Sequence, residues 1–93
     1  MLVDRKNWGN AAAFISVDEK TKAVIVYVKF YDANGCRSPG PSTDVLTTLP
    51  EELLAEVVGR GGWKAPMSAK LRRFCNEVWV KAKEANPKFK YEV

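Results

Sequence analysis

The chain has 93 residues, of which 46% are apolar, and a formal net charge of +4. This length supports one hydrophobic core and excludes a second domain, so we expect residues 1–93 to fold as a single domain. The sequence contains no histidine, which removes the usual acid–base catalyst at neutral pH and the commonest zinc ligand. We therefore expect a protein that is not an enzyme and that uses no cofactor or metal.

The first predicted elements are the strands of an antiparallel meander. Residues 23–31 are rich in β-branched and aromatic side chains, which favours a strand. Residues 12–17 are predicted as its partner, with the polar segment 18–22 as the connecting turn. The Asp32–Gly35 turn contains Asn-Gly, which accepts the positive φ of a tight hairpin, so a third and shorter strand is predicted from Cys36.

A loop and a first helix follow the meander. The Ser-Pro-Gly-Pro-Ser segment at 38–42 predicts a loop, because its two prolines lack backbone N–H donors. Thr48 and Glu51 have the spacing of a capping box, which predicts a helix over residues 49–58. The glycine-rich segment 59–62 is expected to end this helix.

A second, longer helix is predicted over residues 69–85, with Ser68 as its N-cap and Asn86-Pro87 as its stop. Its apolar side chains fall on one arc of the helical wheel, which we expect to pack against the sheet or the first helix. The members of this arc are Leu71, Phe74, Cys75, Val78, Trp79, Ala82 and Ala85.

The last predicted element is a short strand in the tail. Residues 88–93 alternate polar and apolar side chains, which places Phe89, Tyr91 and Val93 on one face. With this strand docked on the meander, the predicted fold is α+β. It is an antiparallel three- or four-stranded sheet with two helices packed on one face.

Positive charge is concentrated in the last third of the chain. Residues 60–93 carry nine lysines and arginines against three glutamates, whereas residues 1–59 carry six basic and eight acidic side chains. This layout predicts one electropositive surface. Nucleic-acid binding is one interpretation, with Lys64, Arg72 and Lys83 on phosphates. Trp63 or Trp79 would then stack on an unpaired base.

The second helix also suggests a protein interface. Val80 lies in the middle of its polar side, near Arg73 and Asn76, where a polar residue is expected. An unpaired edge of a small sheet invites association in the same way. Our leading expectation is therefore a non-catalytic interaction module that binds a protein or a second copy of itself, and nucleic-acid binding is the alternative. The candidate binding residues are Trp63, Lys64, Arg72, Asn76, Trp79, Val80 and Lys83.

The sequence also bears on location. Its longest apolar runs are far shorter than the ~20 residues of a membrane-spanning helix, and its first residues lack the apolar region of a secretory signal. We therefore expect a cytoplasmic protein with no membrane partner, in which Cys36 and Cys75 are reduced thiols. No small-molecule substrate is inferred.

Overall fold

A computed structural model describes residues 1–91, and within that range the chain forms five strands and two helices. The strands are β1 (Leu2–Trp8), β2 (Ala11–Val17), β3 (Ala23–Tyr31), β4 (Arg37–Ser42) and β5 (Thr47–Thr48), and the helices are α1 (Glu51–Gly59) and α2 (Ala69–Ala85). Strands β1 to β4 lie in sequence order and pair antiparallel, and β5 pairs with the start of β3. Both helices pack on one face of the sheet, which confirms the predicted α+β fold.

The predicted meander is present. Strands β2 and β3 pair along their whole length, from Ala11 opposite Phe30 to Val17 opposite Val24. The turn before β4 is held by the Asp32 carboxylate, which accepts hydrogen bonds from the backbone N–H groups of Asn34 and Cys36. These pairings confirm the strands predicted around residues 12–17 and 23–31.

Strand β4 corrects the prediction of a loop over residues 38–42. Two prolines fit this strand because it lies at the edge of the sheet, where outward-facing positions need no N–H donor. Gly40 is required by the close approach of β3. A Cβ atom at this position would lie 2.7 Å from the Phe30 ring and 2.9 Å from the carbonyl oxygen of Val28.

Strand β1 was not predicted. It pairs with β2 from Leu2 opposite Ser16 to Trp8 opposite Ala11, and its register shifts by a bulge between Leu2 and Asp4. Because of the bulge, Val3 and Asp4 are both buried. This irregularity breaks the simple alternation by which a strand is recognised.

Helix α2 has the predicted bounds and cap. The Ser68 hydroxyl accepts a hydrogen bond from the backbone N–H of Leu71 at 3.2 Å. Five of the predicted apolar positions are buried, Phe74 is half-buried, and Ala85 is exposed. Helix α1 begins at Glu51 rather than at residue 49, because Thr48 belongs to β5, and its N-cap position has no side-chain hydrogen bond.

The strand predicted for residues 88–93 is absent over 88–91, and Val93 lies outside the described residues. The aromatic side chains of this segment pack on the helical side of the sheet instead. Phe89 lies 5.8 Å from Trp8 between ring centroids, and Tyr91 lies 4.9 Å from Trp79. The Tyr91 hydroxyl donates to the carbonyl oxygen of Trp79 at 2.6 Å.

The hydrophobic core lies between the sheet and the two helices. The sheet contributes Val3, Ala11, Ala13, Ile15, Val17, Val24, Val26 and Val28, and the helices contribute Leu53, Val57, Leu71, Cys75, Val78, Trp79 and Ala82. Burial, with a further contribution from Asp4, raises the pKa of the Cys75 thiol to about 12. This cysteine is therefore protonated at neutral pH, as expected for a small core residue.

In residues 1–91 no helix is both long enough and apolar enough to cross a membrane.

Candidate functional site on the helix-free face

The predicted binding residues Trp79 and Arg72 both contact the buried carboxylate of Asp4, although the Arg72 side chain is itself 50% exposed. Trp79 is 1% exposed, and its indole N–H donates to a carboxylate oxygen of Asp4 at 2.9 Å. The Arg72 guanidinium donates to the same oxygen at 3.1 Å. The prediction that Trp79 presents its ring to a partner therefore conflicts with its burial. Arg72 is therefore paired with a carboxylate, which comes from the unpredicted strand β1.

The other predicted binding residues are divided among three places. Lys83 lies near the end of α2, with its Nζ 5.0 Å from the centroid of the Tyr91 ring. Asn76 and Val80 lie on the exposed flank of α2, where Val80 is 55% exposed. Trp63 and Lys64 lie in the segment between the helices and reach the opposite side of the sheet. The seven residues thus do not form one surface.

The side of the sheet that carries no helix has a distinctive composition. Alternation along β3 points Tyr27, Lys29 and Tyr31 to this side, away from the valines of the core. Phe14 on β2 lies opposite Tyr27, and Arg5 on β1 lies opposite Phe14. We call this side the helix-free face.

A groove of about 450 Å³ crosses the helix-free face. It is lined by Leu2, Arg5, Phe14, Tyr27, Lys29, Tyr31, Arg37, Trp63 and Lys64. Four of these side chains are cations, four are aromatic, and none is a carboxylate. The groove is therefore electropositive, with flat rings between its charges.

Each cation of the groove lies over an aromatic ring. The Lys29 Nζ is 5.8 Å from the Tyr27 centroid, and the Arg37 guanidinium carbon is 5.6 Å from the Tyr31 centroid. On the other side of the groove, Trp63 is approached by Arg5 at 5.2 Å and by Lys64 at 5.4 Å. Cation–π attraction holds these side chains close to the sheet.

Tyr27 is supported from below by Phe14. Their ring centroids are 5.5 Å apart with an interplanar angle of 24°, which is a stacked arrangement. Burial raises the pKa of the Tyr27 hydroxyl, Tyr31 raises it further, and Arg37 opposes the rise. The hydroxyl therefore stays protonated at neutral pH, and Tyr27 is a neutral, rigid ring with a hydrogen-bond donor.

Arg60 fixes the segment that carries Trp63. Its guanidinium donates to the carbonyl oxygens of Val3 at 2.7 Å, Trp63 at 3.4 Å and Pro66 at 3.3 Å, and also to that of Ala65. The Arg60 side chain therefore links the carbonyl groups of residues 63–66 to one another and to β1. This anchoring positions Trp63 at the groove.

The residues predicted from the sequence include Trp63 and Lys64 of this groove but none of the sheet residues that complete it. The signal was present in residues 23–31, where Tyr27, Lys29 and Tyr31 share one face of the predicted strand. The alternation predicts a strand but does not show which of its two faces the helices leave uncovered. The four residues needed from other elements are Arg5, Phe14, Arg37 and Leu2.

Within the described residues no group of three or more cysteine, aspartate or glutamate side chains is placed to hold a metal ion. No protein-family model, curated protein or solved structure matches the chain.

Proposed function

We propose that the protein binds single-stranded nucleic acid in the groove of the helix-free face. The observation that carries this proposal is the set of four cations and four aromatic rings with no carboxylate among them. Aromatic rings stack on unpaired bases, and lysine and arginine neutralise phosphates. The base and the phosphate of a nucleotide thus each have a suitable contact in the groove, the base with a ring and the phosphate with a cation.

An unpaired strand fits this surface better than a duplex. A duplex hides the faces of its bases and is read by a helix or a two-stranded ribbon that enters a groove. On the helix-free face the rings of Tyr27 and Tyr31 lie along a strand of the sheet, and the helices are on the other side. Aromatic rings on the surface of a sheet can stack only on bases that are unpaired and accessible.

The proposal predicts a salt-dependent affinity to which Lys29 contributes. We expect Lys29→Ala to weaken binding of a fluorescein-labelled 12-nucleotide single strand and to reduce the slope of log K against log salt by about 0.7, the value of one phosphate contact. Lys70→Ala is the matched control, because Lys70 is an exposed lysine on α2 outside the groove. Anisotropy titrations between low and moderate salt measure both effects.

Two results would contradict the proposal. One is the absence of salt-dependent binding to any single-stranded DNA or RNA. The other is equal weakening by Lys29→Ala and Lys70→Ala, which would mean that only net charge matters.

Self-association through α2 is a second candidate function. Its support is the exposure of Val80, which lies among charged and polar side chains in a shallow depression on the outer flank of the helix. Glu77 and Lys81 lie on the same flank, so two antiparallel copies of α2 would bring opposite charges together. The exposed edge strand β4 is less suited to pairing, because Pro39 and Pro41 lack N–H donors.

This second candidate predicts a dimer that depends on Val80. We expect light scattering coupled to size exclusion to give a dimer mass at high protein concentration, and Val80→Glu to give the monomer mass, because it buries an unpaired charge. Val58→Glu is the matched control, since Val58 is an exposed valine on α1. A monomer mass for the unmodified protein at every concentration would rule the dimer out.

A further inference from the structure

We infer that the groove selects strands whose bases unstack easily, and that it therefore prefers pyrimidine-rich single strands. The strand lies along β3, with one base on Tyr27, one base on Tyr31 and a phosphate at Lys29. This inference rests on the proposed function and adds the class of nucleic acid and its register.

The spacing of the two tyrosines sets the conformation of the ligand. Tyr27 and Tyr31 are four residues apart on one strand and on the same side of it, which places them about 14 Å apart. Successive bases of a stacked strand rise only ~3.4 Å. Neighbouring stacked bases therefore cannot reach both rings, and the strand has to extend and splay its bases.

Lys29 lies midway between the two rings on the same side of β3. Its Nζ lies over Tyr27, 5.8 Å from the ring centroid. A base that stacks on Tyr27 takes this place, and the ammonium group moves to the phosphate that follows the base. One extended nucleotide step is too short to join the two rings, so the bases on Tyr27 and Tyr31 are separated by a third nucleotide. Lys29 lies beside the backbone between them.

Each ring offers the ligand a defined surface. One face of Tyr27 is covered by Phe14, which is itself only 6% exposed. A base therefore stacks on the opposite face only. Tyr31 has Arg37 beside it, and an arginine next to a ring adds a second contact for the phosphate of the neighbouring nucleotide.

The preference for pyrimidines follows from the cost of splaying the bases. The groove reads bases through ring faces, which tolerate every base, so its selectivity comes from the strand rather than from hydrogen bonds to base edges. Runs of uridine or thymidine stack weakly and have a flexible backbone, whereas runs of adenosine are held in a stacked helix. An adenosine run therefore loses more base-stacking free energy than a uridine run when it binds in the groove.

The test compares labelled U10 and A10 RNA in anisotropy titrations at one salt concentration. We expect U10 to bind about tenfold more tightly than A10. Equal affinity for U10 and A10 would overturn the inference and leave single-strand binding in place. No binding of either RNA, or of the DNA strands dT10 and dA10 in the same titration, would overturn the proposed function itself, so the two failures are distinguishable.

Variants of Tyr31 test the stacking step. We expect Tyr31→Ala to weaken U10 binding about fivefold or more and Tyr31→Phe to leave it within about twofold, since phenylalanine keeps the ring. Thermal unfolding monitored by circular dichroism establishes that both variants are folded. Equal losses in the two variants would overturn the assignment of Tyr31 as a stacking ring.

Discussion

Alanine in place of Trp79 is expected to lower the free energy of unfolding by about 3–5 kcal/mol, the usual cost of removing a large aromatic side chain from a core. Trp79 is the largest of the fully buried side chains and contacts Tyr91 and Asp4. A domain of this size has roughly 5–15 kcal/mol of stability in total. Urea unfolding followed by circular dichroism measures the loss.

Two milder variants separate packing from hydrogen bonding at this position. Trp79→Phe keeps most of the apolar surface but leaves Asp4 without the indole donor, and we expect it to cost about 1–3 kcal/mol. Val58→Ala is the control on the exposed side of α1, where a change within about 0.5 kcal/mol is expected. Equal stability of Trp79→Ala and Val58→Ala would contradict the placement of Trp79 in the core.

Loss of Arg60 is expected to affect both stability and binding. Arg60→Leu removes the donor that four backbone carbonyl groups share, and we expect a cost of about 2 kcal/mol, in the range of hydrogen bonds to charged groups. We also expect weaker binding of single-stranded oligonucleotides, because Trp63 and Lys64 lose their anchored position. Urea unfolding and anisotropy titration measure the two effects on the same variant.

Arg60→Lys is the informative companion. It keeps the charge but replaces a planar group of five N–H donors by one ammonium group, so it cannot span the same carbonyls. We expect it to lose most of the stability that Arg60→Leu loses. Unchanged oligonucleotide affinity in Arg60→Leu, with reduced stability, would show that the 60–66 segment takes no part in binding.

The elements that were predicted correctly are those whose signal is local. Strand β3 alternates over nine residues, and α2 has a capping serine, a continuous apolar arc and a proline stop within its own sequence. Strand β1 lacks such a signal. Its residue Asp4 is buried only because Trp79 and Arg72 supply hydrogen bonds from 75 and 68 positions further along the chain.

The candidate site was only partly predictable for a related reason. The excess of positive charge after residue 60 is a property of composition, and composition does not state which face each side chain occupies. Arg72 forms an ion pair with Asp4 and does not line the groove, whereas Lys64 does. The other three cations of the groove are Arg5, Lys29 and Arg37, which come from the part of the chain with a net negative charge. Only the register of the sheet brings them together.

The bond between Asp4 and Trp79 also has a consequence for how the chain is made. During synthesis β1 leaves the ribosome long before α2. The Asp4 carboxylate therefore has no indole donor until Trp79 has been translated. The valines of the meander are fully covered only when this helix as well as α1 has packed on the sheet. We therefore expect the domain to acquire its tertiary structure in one late step, after most of the chain has emerged.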